Sequence, residues 1–216
     1  MLEWSLDAFR ACGSVGAIVV AVPPGESKRF QASGLARPFA GAGTDLEIVA
    51  GGATRAESVA NALAAVETEI VAVHDAARPL LTRELVGALV AELEAAPRAA
   101  GIVAAAPVTD TIKRTVEDPS VNLGTSTVPN RTLAIEATED RSRLWGAQTP
   151  QVFRTEALRE ALAAAERPQD ATDEAMLVEL AGSTVLLHPV REPNLKVTTP
   201  LDLRVAELLL QARISA

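Results

Sequence analysis

Short apolar runs alternate with alanine-rich stretches of helical period along most of this chain, and that rhythm admits few folds. Gly16–Val22 (Gly-Ala-Ile-Val-Val-Ala-Val) is one such run, stopped by Pro23-Pro24, and Leu46–Ala50 is a second, stopped by Gly51-Gly52. Ile70–His74, Gly101–Pro107 and Thr184–His188 complete the set. A strand covered on both faces shows a near-continuous apolar run instead of strict alternation. Among these runs lie helical segments: the end of one over Ser5–Cys12, then Thr54–Val66, Thr82–Ala95, Thr155–Glu166, Thr172–Ala181 and Pro200–Ala212. Thr54, with Glu57 three residues on, has the pattern of a capping box, and Thr82 and Thr172 are the expected N-caps of their helices. The alternation predicts an α/β fold, a mostly parallel sheet with helices on both faces.

The rhythm breaks between Asp110 and Trp145, where β-branched residues, Pro119, Gly124 and Pro129 replace any helical period. This stretch, about 110–145, reads as an extended excursion, a hairpin arm on a single domain spanning residues 1–216. Hydrophobic residues make up 48% of the chain but aromatics only 3%, so the core is expected to be Ala, Val, Leu and Ile. The net charge of −8 argues against non-specific nucleic-acid binding, which needs a basic surface, but leaves room for a local cation cluster. The single cysteine, Cys12, excludes an intrachain disulfide and reads as an inert packed thiol. The start, Met1-Leu2-Glu3-Trp4-Ser5-Leu6-Asp7, has neither a basic n-region nor an apolar h-region, and no run is long enough to span a bilayer, so the expected location is the cytoplasm.

Chemistry is expected where the strands end. In open α/β sheets ligands bind beyond the carboxyl ends of the strands. Val71-Ala72-Val73-His74-Asp75-Ala76-Ala77-Arg78-Pro79 puts a carboxylate, suited to Mg²⁺, and a guanidinium, suited to phosphate, at such an end. Asp75 as a helix cap and Arg78 as a surface charge is the plainer alternative, and His74 reads as structural. Gly51-Gly52-Ala53-Thr54-Arg55-Ala56-Glu57-Ser58 joins a strand to a helix. Its glycines permit close ligand approach, and a helix N-terminus there supplies N–H groups; a simple tight turn is the alternative. Pro107-Val108-Thr109-Asp110-Thr111-Ile112-Lys113, Arg141-Ser142-Arg143-Leu144-Trp145, Gln148-Thr149-Pro150-Gln151, Thr172-Asp173-Glu174 and Asn194-Leu195-Lys196-Val197-Thr198 are each weak alone, the last being compatible with a short edge strand.

Their succession is specific. In this order the motifs resemble the 2-C-methyl-D-erythritol 4-phosphate cytidylyltransferase family of the non-mevalonate isoprenoid pathway, from about Trp4 to about Ala212. Ribitol-5-phosphate cytidylyltransferases share much of the set. The resemblance implies a Rossmann-like fold, CMP transfer from CTP to the substrate phosphate with release of pyrophosphate, and a requirement for Mg²⁺. It implies that Asp75 binds the metal beside the nucleotide and next to Ala76, and that Gly52 and Ser58 hold the cytidine. By the same resemblance Arg78, Arg141 and Lys196 meet the polyol phosphate, with Arg141 and Lys196 catalytic, and Thr149 and Thr172 contact the substrate. The arm would join two copies into a homodimer. Attack of a phosphate on an α-phosphorus needs alignment and charge compensation, not a protein nucleophile. No convincing Ser-His-Asp set or cysteine nucleophile stands in the chain. The family opens with an apolar strand and a Gly-rich loop carrying an arginine and a lysine. Here Met1 aligns with the helix after that loop, Gly13-Ser14-Val15-Gly16 is no substitute, and Ala53 replaces a usually polar position. The expectation is therefore a chain truncated at its N-terminus relative to the family. The rival is a binding or assembly module without triphosphate activation.

Overall fold

A computed structural model describes residues 1–34, 44–116 and 133–214. Strands β1 (Ala17–Val22) and β2 (Asp45–Ala50) pair in parallel as a two-stranded sheet. Strands β3 (Ile70–Val73), β4 (Gly101–Pro107), β7 (Trp145–Arg154) and β8 (Val185–Pro189) form a four-stranded sheet in the order β3-β7-β4-β8. Strand β8 runs parallel to β4, whereas β7 runs antiparallel to both β3 and β4, so the sheet is mixed. The expected apolar runs are all strands; β7, which carries Gln148, Thr149 and Gln151, was not predicted.

Helices cover both faces, as the alternation predicts. On one face Val103 and Phe153 meet Leu158 and Ala161 of α5 (Thr155–Ala164), Leu177 and Val178 of α6 (Glu174–Leu180) and Leu63 of α3 (Arg55–Leu63). On the other, Ile102, Ala104 and Val152 meet Leu89 and Leu93 of α4 (Arg83–Ala95). The split follows from the period of two along a strand, which sends Ile102 and Val103 to opposite sides. Gly101 leaves room for the Phe153 ring against β4: a Cβ there would stand 2.3 Å from Phe153 Cδ1. Cys12 is buried against Leu81 and Val86, a packed thiol as expected.

Local signals fixed most helix starts. Thr54 Oγ1 accepts from Glu57 N at 3.1 Å and Thr82 Oγ1 accepts from Leu85 N at 3.2 Å. Glu57, however, reaches back to Ala53 N at 2.7 Å, one residue before the expected box partner. The cap of α6 is Asp173, not Thr172: Asp173 Oδ1 accepts from Met176 N at 2.9 Å. The expected edge strand at 194–198 is irregular chain, tied to the strand end by one backbone bond, Val197 N to Ala77 O at 2.8 Å. It leads to α7 (Pro200–Ile214), whose start carries a reciprocal cap: Thr199 N donates to Asp202 Oδ2 and Asp202 N to Thr199 Oγ1. Helix α1 (Leu2–Arg10) begins ahead of the expected Ser5, and the short α2 (Ser27–Ala32), like β7, had no sequence expectation. In the excursion, β5 (Lys113–Val116) pairs antiparallel with β6 (Ala134–Thr138) as a separate two-stranded sheet. The tip of the expected arm, 117–132, lies outside the described residues.

Candidate active site

Asp75 lies two residues past the end of β3, after His74 and before the chain turns through Ala76 and Ala77. A frame of hydrogen bonds fixes this tip. Thr149 Oγ1, on neighbouring β7, accepts from Asp75 N at 3.0 Å and lies 3.0 Å from His74 Nδ1. His74 Nε2 sits 3.3 Å from both Ser5 Oγ of α1 (Leu2–Arg10) and the Arg78 carbonyl. Burial drives the His74 pKa down to about 4, which the Arg78 carbonyl and the Asp75 charge only partly oppose, so the ring is neutral near pH 7. The structural reading of His74 is the one this geometry supports.

The irregular segment 194–197 docks on the same tip. Arg78 Nη1 donates to the Asn194 carbonyl at 2.7 Å, and Asn194 Nδ2 donates to Thr149 O and Gln148 Oε1. This docking carries Lys196 to Asp75, Nζ to Oδ2 2.8 Å. From the other side, Arg55 Nη2 lies 3.4 Å from Asp75 Oδ1, and Arg55 Nη1 is paired with buried Glu174 of α6. Burial would raise the Asp75 pKa, but the Lys196 hydrogen bond and the charges of Arg55 and Lys196 outweigh it, so the carboxyl titrates below its ordinary value. Burial also lowers the Arg78 pKa from its ordinary value, with the nearby Asp75 charge opposing it.

Gly52 and Ser58 meet at the β2–α3 turn. Gly52 N donates to Ser58 Oγ at 3.1 Å, and Ser58 Oγ donates to Thr54 O at 2.9 Å. The amides of Gly52, Ala53 and Glu57 are thus all held by protein groups in this structure. Gly52 is needed here: a Cβ on it would fall 2.2 Å from Glu57 Cβ. Asp75, Arg78, Thr149 and Lys196 are therefore brought together, and Arg55 links them to α3 and the Gly52–Ser58 turn. Ala76 is exposed beside Asp75. Arg141 and Thr172 make their contacts elsewhere. Arg141, on the 3-10 turn Arg141–Arg143, donates to the Thr109 carbonyl, and Thr172 Oγ1 lies 3.8 Å from Met176 Sδ. Sequence reasoning gave no site role to Arg55 or Glu174, because 119 positions separate them and only the fold makes them a pair.

Asp75 is paired with both Lys196 and Arg55, and among the described residues no group of three or more His, Cys, Asp or Glu side chains stands ready to hold a metal ion. Mg²⁺ is commonly bound through one or two carboxylates together with substrate phosphates, so Asp75 would hold it only in company with phosphate groups. No helix among the described residues is long and apolar enough to cross a membrane.

The family model "IspD: 2-C-methyl-D-erythritol 4-phosphate cytidylyltransferase" matches residues 1–212. The bifunctional enzyme IspD/IspF of Anaeromyxobacter dehalogenans is 41% identical over 216 residues, covering 100% of this chain and 51% of that protein. The chain thus spans about half the length of the bifunctional relatives it matches. The 2-C-methyl-D-erythritol 4-phosphate cytidylyltransferase of Acidobacterium capsulatum is 38% identical over 219 residues, covering 100% of this chain and 84% of that protein. The crystal structure of 2-C-methyl-D-erythritol 4-phosphate cytidylyltransferase from Thermus thermophilus superposes with a TM-score of 0.71 at 36% identity, covering 97% of this chain and 88% of that one. The chain belongs to the 2-C-methyl-D-erythritol 4-phosphate cytidylyltransferase family.

Proposed function

We propose that this chain transfers CMP from CTP to 2-C-methyl-D-erythritol 4-phosphate, releasing pyrophosphate. The observation that carries the reading is the Asp75–Lys196 pair at the end of β3, in a chain matched by the family model over residues 1–212. An oxygen of the acceptor phosphate attacks the α-phosphorus of CTP. The new P–O bond forms as the bond to the β-phosphate bridge breaks, and its electron pair leaves on pyrophosphate. Both reactants are polyanions, so the protein's work is to align them and offset their charge.

In this reading Asp75 holds Mg²⁺ on the nucleotide side, and the metal would offset charge on the triphosphate. Gly52 lets the nucleotide approach the backbone, Ser58 fixes that turn, and Ala76 leaves space beside Asp75. Lys196 and Arg78 face the acceptor phosphate, joined by Arg141 from the arm, with Thr149 and Thr172 as further substrate contacts. Ile112, Val116, Leu133 and Ile135 on and beside β5 and β6 are 36–63% exposed, which supports the arm as the contact between two copies in a homodimer. A cytoplasmic location suits a reaction between two soluble phosphates.

Phosphorus NMR of the protein with CTP, Mg²⁺ and 2-C-methyl-D-erythritol 4-phosphate tests the proposal. The expected result is a diphosphate diester with an equivalent of pyrophosphate, and little product when ribitol 5-phosphate replaces the acceptor. CTP binding by calorimetry with no product from either acceptor would overturn it.

A further inference from the structure

Past the end of β3 the chain makes one tight turn, Asp75-Ala76-Ala77-Arg78, closed by Arg78 N donating to the Asp75 carbonyl at 2.9 Å. That bond uses the two inner backbone groups of the turn. The two outer groups, the Asp75 N–H and the Arg78 carbonyl, are both tied to the His74 imidazole. Asp75 N donates to Thr149 Oγ1 at 3.0 Å, and that hydroxyl lies 3.0 Å from His74 Nδ1. The Arg78 carbonyl oxygen lies 3.3 Å from His74 Nε2. Helix α1 holds the ring itself. The Phe9 ring packs across it at 75°, with centroids 5.5 Å apart, and Ser5 Oγ lies 3.3 Å from Nε2.

The polarity of these bonds selects one tautomer. A backbone carbonyl only accepts, so Nε2 carries the proton and Nδ1 is the accepting nitrogen. Thr149 Oγ1 takes the Asp75 N–H on a lone pair and gives its own proton to Nδ1. The result is a directed chain: Asp75 N–H to the Thr149 hydroxyl to Nδ1, and Nε2–H to the Arg78 carbonyl. The other tautomer would set the Nε2 lone pair against the Arg78 oxygen, two acceptors facing each other. The equal 3.3 Å distances from Nε2 to the Arg78 oxygen and to Ser5 Oγ fit one proton shared between two acceptors.

We infer that His74 is a positioning residue: it ties both ends of the 75–78 turn to one ring and so sets the spacing between the Asp75 carboxylate and the Arg78 guanidinium. This rests on the proposed function, in which Asp75 stands on the nucleotide side and Arg78 faces the acceptor phosphate. The two ring nitrogens then serve different reactants. Nδ1 supports the nucleotide side through Thr149 and the Asp75 backbone, and Nε2 supports the acceptor side through the Arg78 carbonyl. His74 touches neither reactant. Its effect is on alignment, which tolerates little displacement.

The test separates the two nitrogens. The amide of His74→Asn reaches about as far as Nδ1, so it keeps an acceptor for Thr149 and loses the Arg78 bond. The longer amide of His74→Gln keeps a donor for Arg78 and loses the Thr149 bond. Acceptor-dependent pyrophosphate release is measured for both, with melting curves alongside. His74→Asn should raise KM for methylerythritol phosphate roughly tenfold and leave KM for CTP within about twofold; His74→Gln should do the reverse. Destabilisation alone would lower the folded fraction, and with it the apparent kcat, and would leave both KM values in place. Nitrogen-15 NMR of the histidine-labelled wild type near pH 7 reads the tautomer without any change at His74, with His188→Gln to assign the two histidines. The expected signature is a protonated Nε2 and a bare Nδ1. A protonated Nδ1, or KM values that move together or not at all, overturns the inference. If Arg78→Ala leaves KM for methylerythritol phosphate unchanged, or Asp75→Asn leaves both turnover and KM for CTP unchanged, the role proposed for that residue fails instead.

Discussion

Beneath Asp75, Thr149, Gln151 and Asn194 are at most 4% exposed and are bonded to other protein groups, while around it Lys196 and Arg55 leave 45% and 40% of their side chains in water. The two regions divide the labour. The floor spends its polar atoms on holding β3, β7 and the 194–197 segment in register, and of its side chains the proposed function asks only Thr149 to meet substrate as well. The rim keeps its cations half solvated, where they can exchange one anion for another. Changes in the floor should therefore move stability first, and changes in the rim should move turnover first.

The largest expected break in this contrast is a pH effect from the floor. His74 titrates at about 4 when folded, against about 6.5 unfolded, so the unfolded chain binds its proton first as pH falls. Its contribution to stability is whole above pH 6.5 and declines to a loss of about 3 kcal/mol by pH 4. Urea titrations across that window should show the decline in the wild type and a flatter profile in His74→Gln. Equal slopes would remove His74 from the floor. Next comes Lys196→Ala, expected to lower kcat/KM roughly hundredfold. Its stability should change by less than about 0.5 kcal/mol, as for other half-exposed positions. Thr149→Val should cost about 2 kcal/mol in urea unfolding, because the Asp75 N–H and the His74 ring lose their partner. The smallest effect on stability belongs to Arg141→Ala. Its melting temperature should stay near that of the wild type while KM for the acceptor phosphate rises, since the side chain is exposed.

The same contrast explains what could be read from the residues alone. Strands β1 to β4 and β8 announced themselves as apolar runs ended by proline, glycine or a charged residue, and Thr54 and Thr82 marked their helices by a local bond. Strand β7 did not, because the side chains that bury it include Thr149 and Gln151, whose hydrogen bonds are made to residues 22 or more positions away. Polar residues become core only when distant partners arrive, and pattern reading sees no partners. The cap of α6 was misread by one residue because Thr172 and Asp173 are both good caps and adjacent. In the site, Asp75 and Lys196 were legible as motif residues, but their direct pairing was not. Nor was the Arg55–Glu174 link, which depends on α3 and α6 packing beside the same strand end.

The most direct measurement is acceptor-dependent pyrophosphate release by Asp75→Asn against the wild type, at saturating CTP and Mg²⁺ with equal melting temperatures confirmed first. The proposed function, with Asp75 at its centre, predicts a loss of roughly hundredfold or more. Turnover within a factor of about three of the wild type, under 1 kcal/mol of barrier, would contradict it.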